Sequence, residues 1–85
     1  MYYYVYVLRS LKDYNFYVGY TADLKRRFKE HQEGLVESTR NRLPVELIYY
    51  EACRHQQDAT RREKYLKSSW GKRYLKGRLH RYLTG

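Results

Sequence analysis

The feature that most constrains this chain is residues 17–34, where a short aromatic segment leads directly into a helix. Thr21 and Asp23 are typical helix N-terminal residues, and Gly34 is a typical residue just beyond a helix end. Four residues between them share one helical face by their i, i+3, i+4, i+7 spacing: Leu24, Arg27, Phe28 and His31. The pattern predicts a strand followed by an amphipathic helix whose inward face carries two polar residues.

Arg27 and His31 on an inward face need a partner or a function, because buried polar groups are costly when unpaired. Gly19 lies in the preceding strand and suggests that a ligand or another backbone approaches closely there. A β-bulge is an equally good interpretation of Gly19. Whether Tyr6 and Tyr17 share a face depends on the strand register, which the pattern leaves open.

Length and cysteine content limit the class of protein. Eighty-five residues with one proline predict a single domain, residues 1–85, with one thin core rich in its twelve tyrosines. Cys53 is the only cysteine, so neither an internal disulfide nor a zinc-thiolate cluster is expected. The first residues lack the pattern of a signal peptide, and no segment approaches the length of a membrane span. We therefore expect a cytoplasmic protein with no membrane partner.

The net charge of +9 is concentrated in the last third of the chain. Residues 1–53 hold eight Lys/Arg and seven Asp/Glu, whereas residues 54–85 hold ten and two. Such a basic block attracts polyanions, of which nucleic acid is the commonest. An acidic membrane surface fits less well, because the aromatic residues are tyrosines spread along the chain. The remaining interpretation is an ordinary solvated surface.

Propensity and breakers predict the order of elements. Three segments have β propensity, and the first two form a hairpin across a polar loop: residues 2–9, 16–20 and 45–52. Two helices follow the first one, from residue 56 or 58 to 69 and, after a break at Gly71, over 72–83. The sequence predicts an α+β fold, a three-stranded antiparallel sheet flanked by helices in the order β-β-α-β-α-α.

The second of these helices carries a carboxylate on its apolar stripe. Ala59, Leu66 and Trp70 form the stripe, and Glu63 fills its gap. The solvated face is already supplied by other residues: Arg61, Arg62, Lys64 and Lys67. A core-facing carboxylate must be paired, protonated or bound to a cation. Glu63 is thus either the partner of Arg27 or another internal cation, or a metal ligand.

Basic residues outside these stripes are candidates for phosphate contacts. Arg40 and Arg42 lie in a polar loop, where binding residues are common, although they could simply be solvated. Lys72, Arg73 and Lys76 lie on the last helix, which could follow a nucleic-acid backbone without reading its sequence.

Taken together, these motifs resemble the GIY-YIG nuclease family. Tyr4-Val5-Tyr6 and Tyr17-Val18-Gly19 correspond to its two name-giving motifs, and the pattern through Thr21, Asp23, Arg27 and His31 matches its strand-to-helix segment. Ala59-x-x-Arg62-Glu63-x-x-Leu66-Lys67 resembles its metal-binding helix. The chain is similar to the small stand-alone, single-domain bacterial type, which is related to the nuclease domain of the bacterial excision-repair nuclease. It departs from the family in two ways: Tyr4 replaces the first glycine, and no asparagine follows Asn41.

The resemblance implies an endonuclease that hydrolyses DNA at one divalent cation, Mg²⁺ or Mn²⁺, held by Glu63, without a small-molecule cofactor. Tyr6 and Tyr17 would position and deprotonate the attacking water, and which of them is the base stays open. Arg27 would stabilise charge, and His31 would relay a proton or hold a tyrosine. Either Lys72 or Arg73 would take the role of the missing asparagine, or activity would be reduced.

Several alternatives remain open at this point. The DNA could be single-stranded, branched or damaged, and specificity could come from a homodimer or a protein partner. A non-catalytic nucleic-acid-binding module that keeps the nuclease fold is the main alternative function. A protein-interaction module explains the basic block less well.

Overall fold

The computed structural model describes all residues from Met1 to Gly85. Its strands are β1 (Tyr3–Ser10), β2 (Phe16–Thr21) and β3 (Val45–Cys53). Its helices are α1 (Leu24–Gln32), α2 (Gln56–Lys67), α3 (Ser69–Arg78) and α4 (His80–Thr84), with a 3₁₀ turn at Arg40–Arg42. None of these helices combines the length and the hydrophobicity that crossing a bilayer requires.

The three strands form one antiparallel sheet in the order β2-β1-β3, which confirms the predicted α+β fold. β1 is central and the most buried strand, as its run of valines and tyrosines favours. Tyr6 lies opposite Gly19, and Leu8 lies opposite Tyr17, so the side chains of Tyr6 and Tyr17 share a face. β2 has no neighbour on its outer side and forms a free edge.

The two faces of the sheet pack against different helices. On one face Val5, Val7 and Val18 contact residues of α2 and α3: Ala59, Leu66 and Leu75. On the other face Tyr6, Leu8 and Val45 contact residues of α1: Leu24 and Phe28. The domain therefore has three layers, with α1 and α2 on opposite sides of the sheet.

The ends of α1 follow from its sequence. The Asp23 carboxylate accepts a hydrogen bond from the backbone N–H of Arg26 at 3.1 Å, which caps the first turn. Gly34 has a φ of +76°, in the left-handed region that glycine adopts without strain, and it follows the last turn. Two of the three predicted boundary residues, Asp23 and Gly34, lie at the ends of α1, whereas Thr21 is the last residue of β2.

The prediction that Gly71 breaks the second helix is wrong. The break lies at Ser68, whose hydroxyl donates to the Tyr65 carbonyl and accepts from the Gly71 N–H. Gly71 is buried inside α3, and a Cβ there would collide with the Tyr65 carbonyl oxygen. The glycine is needed for close packing of α3 against the end of α2, not for ending a helix.

Because the helix break lies at Ser68 rather than at Gly71, two other predictions are also wrong. Trp70 was expected in the apolar stripe of α2, but it lies in the first turn of α3 and is 65% exposed. Its ring contacts the Arg73 guanidinium, 5.1 Å from the ring centroid. The segment 72–83, expected to be one helix, is divided between α3 and α4 at Leu79.

Candidate active site

Tyr6 is the buried centre of the candidate site. Its side chain is 1% exposed, on the sheet face that packs against α1. The ring lies over Gly19 on the neighbouring strand, where a Cβ would collide with the Tyr6 hydroxyl oxygen. The close approach predicted at Gly19 is therefore made by this tyrosine ring, rather than by a backbone.

His31 joins Tyr6 to the loop after α1. Its imidazole is fully buried, with Nε2 at 2.8 Å from the Tyr6 hydroxyl oxygen and Nδ1 at 2.7 Å from the Thr39 Oγ1. Thr39 is also buried. The three side chains satisfy one another's hydrogen-bonding groups across a strand, a helix and a loop.

His31 is neutral in this environment. Burial, and secondarily the positive charge of Arg27, lowers the pKa of His31 to about 4. One ring nitrogen then donates and the other accepts. Either Tyr6 donates to Nε2 and Nδ1–H donates to Thr39, or Thr39 donates to Nδ1 and Nε2–H donates to Tyr6.

Tyr6 keeps its proton. Burial raises the pKa of Tyr6 to about 12, and the nearby Arg27 guanidinium offsets only part of that effect. A fully buried phenol that stays protonated at neutral pH is a poor general base and cannot touch a substrate. The two candidate tyrosines are therefore not equivalent.

Tyr17 is the tyrosine with access to solvent. It is half-buried on the edge strand β2, with its ring centroid 6.3 Å from that of Tyr6 and 5.2 Å from that of His31. The buried pair thus packs against the inner side of Tyr17 and restricts its rotation. The rest of its side chain is partly exposed.

Arg27 lies at the rim of this arrangement, with its side chain 38% exposed. Its Nη1 donates to the Glu30 Oε1 at 3.0 Å, and its guanidinium lies beside the Tyr6 hydroxyl. Tyr6, together with Glu30, raises the pKa of Arg27, so the residue is a permanent cation. We refer to these side chains as the Tyr6 cluster: Tyr6, Tyr17, Arg27, His31 and Thr39.

Glu63 stands apart from the Tyr6 cluster. It lies on α2, across the sheet from α1, and its carboxylate pairs with the Lys67 Nζ at 3.1 Å. Its side chain is 22% exposed and makes no hydrogen bond or ion pair with Tyr17 or Arg27. The cation that pairs with Glu63 is therefore a half-exposed lysine of the same helix. No three potential metal ligands of the His, Cys, Asp or Glu type cluster together in the chain.

The first turn of α2 contacts the edge strand β2. Gln56, in the first turn, donates from Nε2 to the Tyr20 hydroxyl on β2. Glu63 follows seven residues later on nearly the same helical face, about 10 Å along the axis.

Arg62 links α2 to the strand β3. Its Nε and Nη2 donate to the Glu51 carboxylate on β3 at 3.0 and 2.9 Å. Its guanidinium also packs over the rings of Tyr65 and Tyr74, at 5.2 and 4.7 Å from their centroids. The prediction that Arg62 belongs to the solvated face is wrong, because its partner comes from a distant strand that helical spacing does not reveal.

The residues predicted to contact nucleic acid fall into two groups. Arg40 is exposed on the 3₁₀ turn, while the Nε of Arg42 donates to the Asp13 carboxylate at 3.2 Å in the β1–β2 loop. Lys72 and Lys76 line a groove that also borders this loop. The third helical residue of the prediction, Arg73, is exposed beside Trp70.

These features define a class of protein: a small three-layer α+β domain with a tyrosine site at a free sheet edge. A family model described as the GIY-YIG catalytic domain matches residues 2–83, so the chain belongs to the GIY-YIG family. This match confirms the family resemblance of the two tyrosine motifs.

Similar proteins support the same assignment. The chain is 42% identical over 65 residues to a UPF0213 protein of Clostridium perfringens, covering 75% of this chain and 69% of that one. It is 48% identical over 61 residues to a UPF0213 protein of Streptococcus agalactiae, covering 71% and 68%. The solution NMR structure of a UPF0213 protein from Bacillus halodurans has a TM-score of 0.55 at 38% identity and covers 88% of this chain and 82% of that one.

Proposed function

We propose that this protein is a metal-dependent endonuclease that hydrolyses DNA phosphodiester bonds. The observation that carries the proposal is a half-exposed tyrosine, Tyr17, held at a free sheet edge by the buried Tyr6 and His31 pair. Membership of the GIY-YIG family supports the same reaction class. Rigid positioning of one exposed reactive group is what hydrolytic catalysis requires.

The side chains of the Tyr6 cluster have different roles in this proposal. The Tyr17 hydroxyl orients the attacking water by a hydrogen bond, and in its phenolate form it would take up the proton of that water. Arg27, a permanent cation at the rim, stabilises the negative charge that develops on the phosphate. Tyr6 and His31 are positioning residues, because both are enclosed and hold Tyr17 in place.

Glu63 is the residue that would hold Mg²⁺ or Mn²⁺. Its side chain is only 22% exposed, and Mg²⁺ commonly binds one or two carboxylates while keeping waters and substrate phosphate as further ligands. A single glutamate therefore fits this cation, provided that Lys67 releases its carboxylate. The ion would polarise the scissile phosphate and stabilise the leaving oxygen.

A cleavage assay with Mg²⁺ or Mn²⁺ on labelled single-stranded, branched and damaged DNA tests the proposal. We expect wild-type cleavage, its loss in EDTA, and a fall of about a hundredfold or more in Tyr17→Phe and in Glu63→Gln. Glu33→Gln is the matched control, because Glu33 is exposed at the end of α1 and its substitution should leave the rate unchanged.

The result that would refute catalysis is a wild-type protein that binds DNA but cuts no substrate with either metal. This result would support the second candidate, a nucleic-acid-binding module that retains the fold. The Glu63–Lys67 ion pair favours that candidate, because it neutralises the carboxylate without a metal. Undiminished cleavage in Glu63→Gln would instead refute only the metal assignment.

A further inference from the structure

A basic groove of about 550 Å³ lies between the β1–β2 loop and the helices α3 and α4. We call it the hairpin groove, and six of its lining residues matter here: Arg9, Tyr14, Phe16, Lys72, Lys76 and His80. None of the residues that line it is acidic. The groove is on the sheet face that packs against α2 and α3, so it is separate from the Tyr6 cluster.

The Arg9 guanidinium lies in this groove against two tyrosine rings, 5.1 Å from the Tyr14 centroid and 5.6 Å from the Tyr82 centroid. Its Nε is buried without a hydrogen-bond partner, and no carboxylate lies within ion-pairing distance of its guanidinium. The opposite residue on β3, Glu46, accepts a hydrogen bond from the Tyr82 hydroxyl. A buried nitrogen without a partner is rare in proteins, and a guanidinium without a carboxylate partner is well suited to bind an anion.

Tyr14 presents an exposed ring at the mouth of the groove. Its φ is +61°, a left-handed conformation that is strained for a bulky residue. The ring is 61% exposed and lies 5.1 Å from the Arg9 guanidinium. Glycine would adopt this backbone conformation without strain. The chain has a tyrosine at this position in spite of that conformational cost.

We propose that the hairpin groove binds one nucleotide of a single-stranded nucleic acid. The phosphate would contact Arg9, Lys72 and Lys76, and the base would stack on Tyr14. The volume suits a ligand of nucleotide size, and the aromatic ring at its mouth offers a stacking surface that a paired base cannot use.

The position of the groove relates it to the proposed cleavage site. Phe16, in its lining, directly precedes Tyr17 on β2. A strand that leaves the groove along β2 therefore reaches Tyr17 at the sheet edge. In this respect the inference rests on the proposed function and names the single strand as its substrate class.

Fluorescence anisotropy with labelled oligothymidine in EDTA measures binding without cleavage. We expect the double variant Lys72→Gln/Lys76→Gln to bind about tenfold more weakly and to lose about 1.4 units of the slope of log affinity against log salt. The matched control is Arg61→Gln/Lys64→Gln, which removes the same charge from the exposed face of α2. Equal losses in the two double variants would overturn the proposal, since overall charge would then explain binding.

Substitutions of Tyr14 test whether its ring stacks on a base or only supports the fold. Tyr14→Phe keeps the ring and should bind like the wild type, whereas Tyr14→Gly should bind about fivefold more weakly or worse without a lower melting temperature. Full binding by Tyr14→Gly would overturn the role of the ring. Equally tight binding of a duplex of the same length would overturn the preference for single strands.

The outcomes distinguish this inference from the proposed nuclease. Cleavage by the wild type, with unchanged binding in Lys72→Gln/Lys76→Gln, would refute the groove and leave the nuclease intact. Absence of cleavage, with binding that depends on the groove and on Tyr14, would refute the nuclease and support the groove.

Discussion

The Tyr6 hydroxyl oxygen and the His31 Nε2 lie 2.8 Å apart, and neither side chain reaches solvent. The two residues are 25 positions apart in the chain, on the central strand and on α1. Their contact fixes α1 against the sheet and packs both rings against Tyr17. Several testable properties of the protein depend on this pair.

Tyr6→Phe should mainly lower the stability of the fold, whereas Tyr17→Phe should mainly lower the cleavage rate. Tyr6→Phe leaves the buried His31 nitrogen unpaired and should lower the free energy of unfolding by about 1–3 kcal/mol. Tyr17→Phe should change it by less than about 0.5 kcal/mol while abolishing cleavage. Urea denaturation and initial cleavage rates measure the two effects. Loss of cleavage in a fully stable Tyr6→Phe protein would show that Tyr6 acts on substrate after all.

Stability should fall in mild acid because of His31. Its pKa is about 4 in the folded protein against a usual 6.5, so the unfolded chain takes up the proton more readily. The stability from neutral His31 is complete above about pH 6.5 and is lost as the pH falls toward 4, by at most about 3 kcal/mol.

Urea denaturation at several pH values, in wild type and in His31→Gln, isolates this contribution from that of the carboxylates. The stability difference between the two proteins should shrink as the pH falls from about 7 to about 4. His80→Gln is the control, because His80 is exposed. A pH-independent difference between wild type and His31→Gln would contradict the prediction.

Gly19→Ala should destabilise the protein strongly. The new Cβ would collide with the Tyr6 ring, which has no free space to move into, and we expect a loss of about 1–3 kcal/mol. Gly77→Ala is the matched control, since nothing lies within 4 Å of a Cβ there and alanine favours a helix by about 0.5–1 kcal/mol. Thermal unfolding of both variants tests the contrast, and a stable Gly19→Ala would mean that the Tyr6 ring is not held over β2.

Arg62→Lys should weaken the attachment of α2 to β3. Lysine cannot reproduce the two-pronged hydrogen bonding to Glu51 or the stacking over Tyr74, so we expect a loss of about 1–2 kcal/mol, given partial exposure of the ion pair. Arg61→Lys, on the exposed neighbour, should be neutral. Urea denaturation distinguishes the two, and equal stabilities would show that the ion pair contributes nothing measurable.

The sequence predicts the strands, α1 and the sheet because their signals are local. Asp23 and Gly34 act as caps through their own backbone neighbours, and β1 is apolar along most of its length. The break between α2 and α3 is different, because the role of Gly71 depends on how closely two helices pack. That packing is a tertiary property, so the local pattern predicts a break at the glycine although Ser68 holds that position.

The candidate site likewise contains some residues that local patterns identify and others that depend on tertiary contacts. The i, i+3, i+4, i+7 spacing identifies Arg27 and His31, since helical periodicity is regular. It does not identify Thr39 and Arg62 as members of polar networks, because their partners come from other elements of the chain. The hairpin register, which places Tyr6 over Gly19, cannot be read from a polar loop whose turn type is unspecified.

The core is divided into two packed clusters, one on each face of the sheet. Substitutions around Tyr6 and substitutions in the hairpin groove share few neighbours, so their effects on stability should largely add. The proposed chemistry at the sheet edge and the proposed binding of nucleic acid can then be altered separately. A three-layer domain of this size thus offers two independent sites of adaptation on one small scaffold.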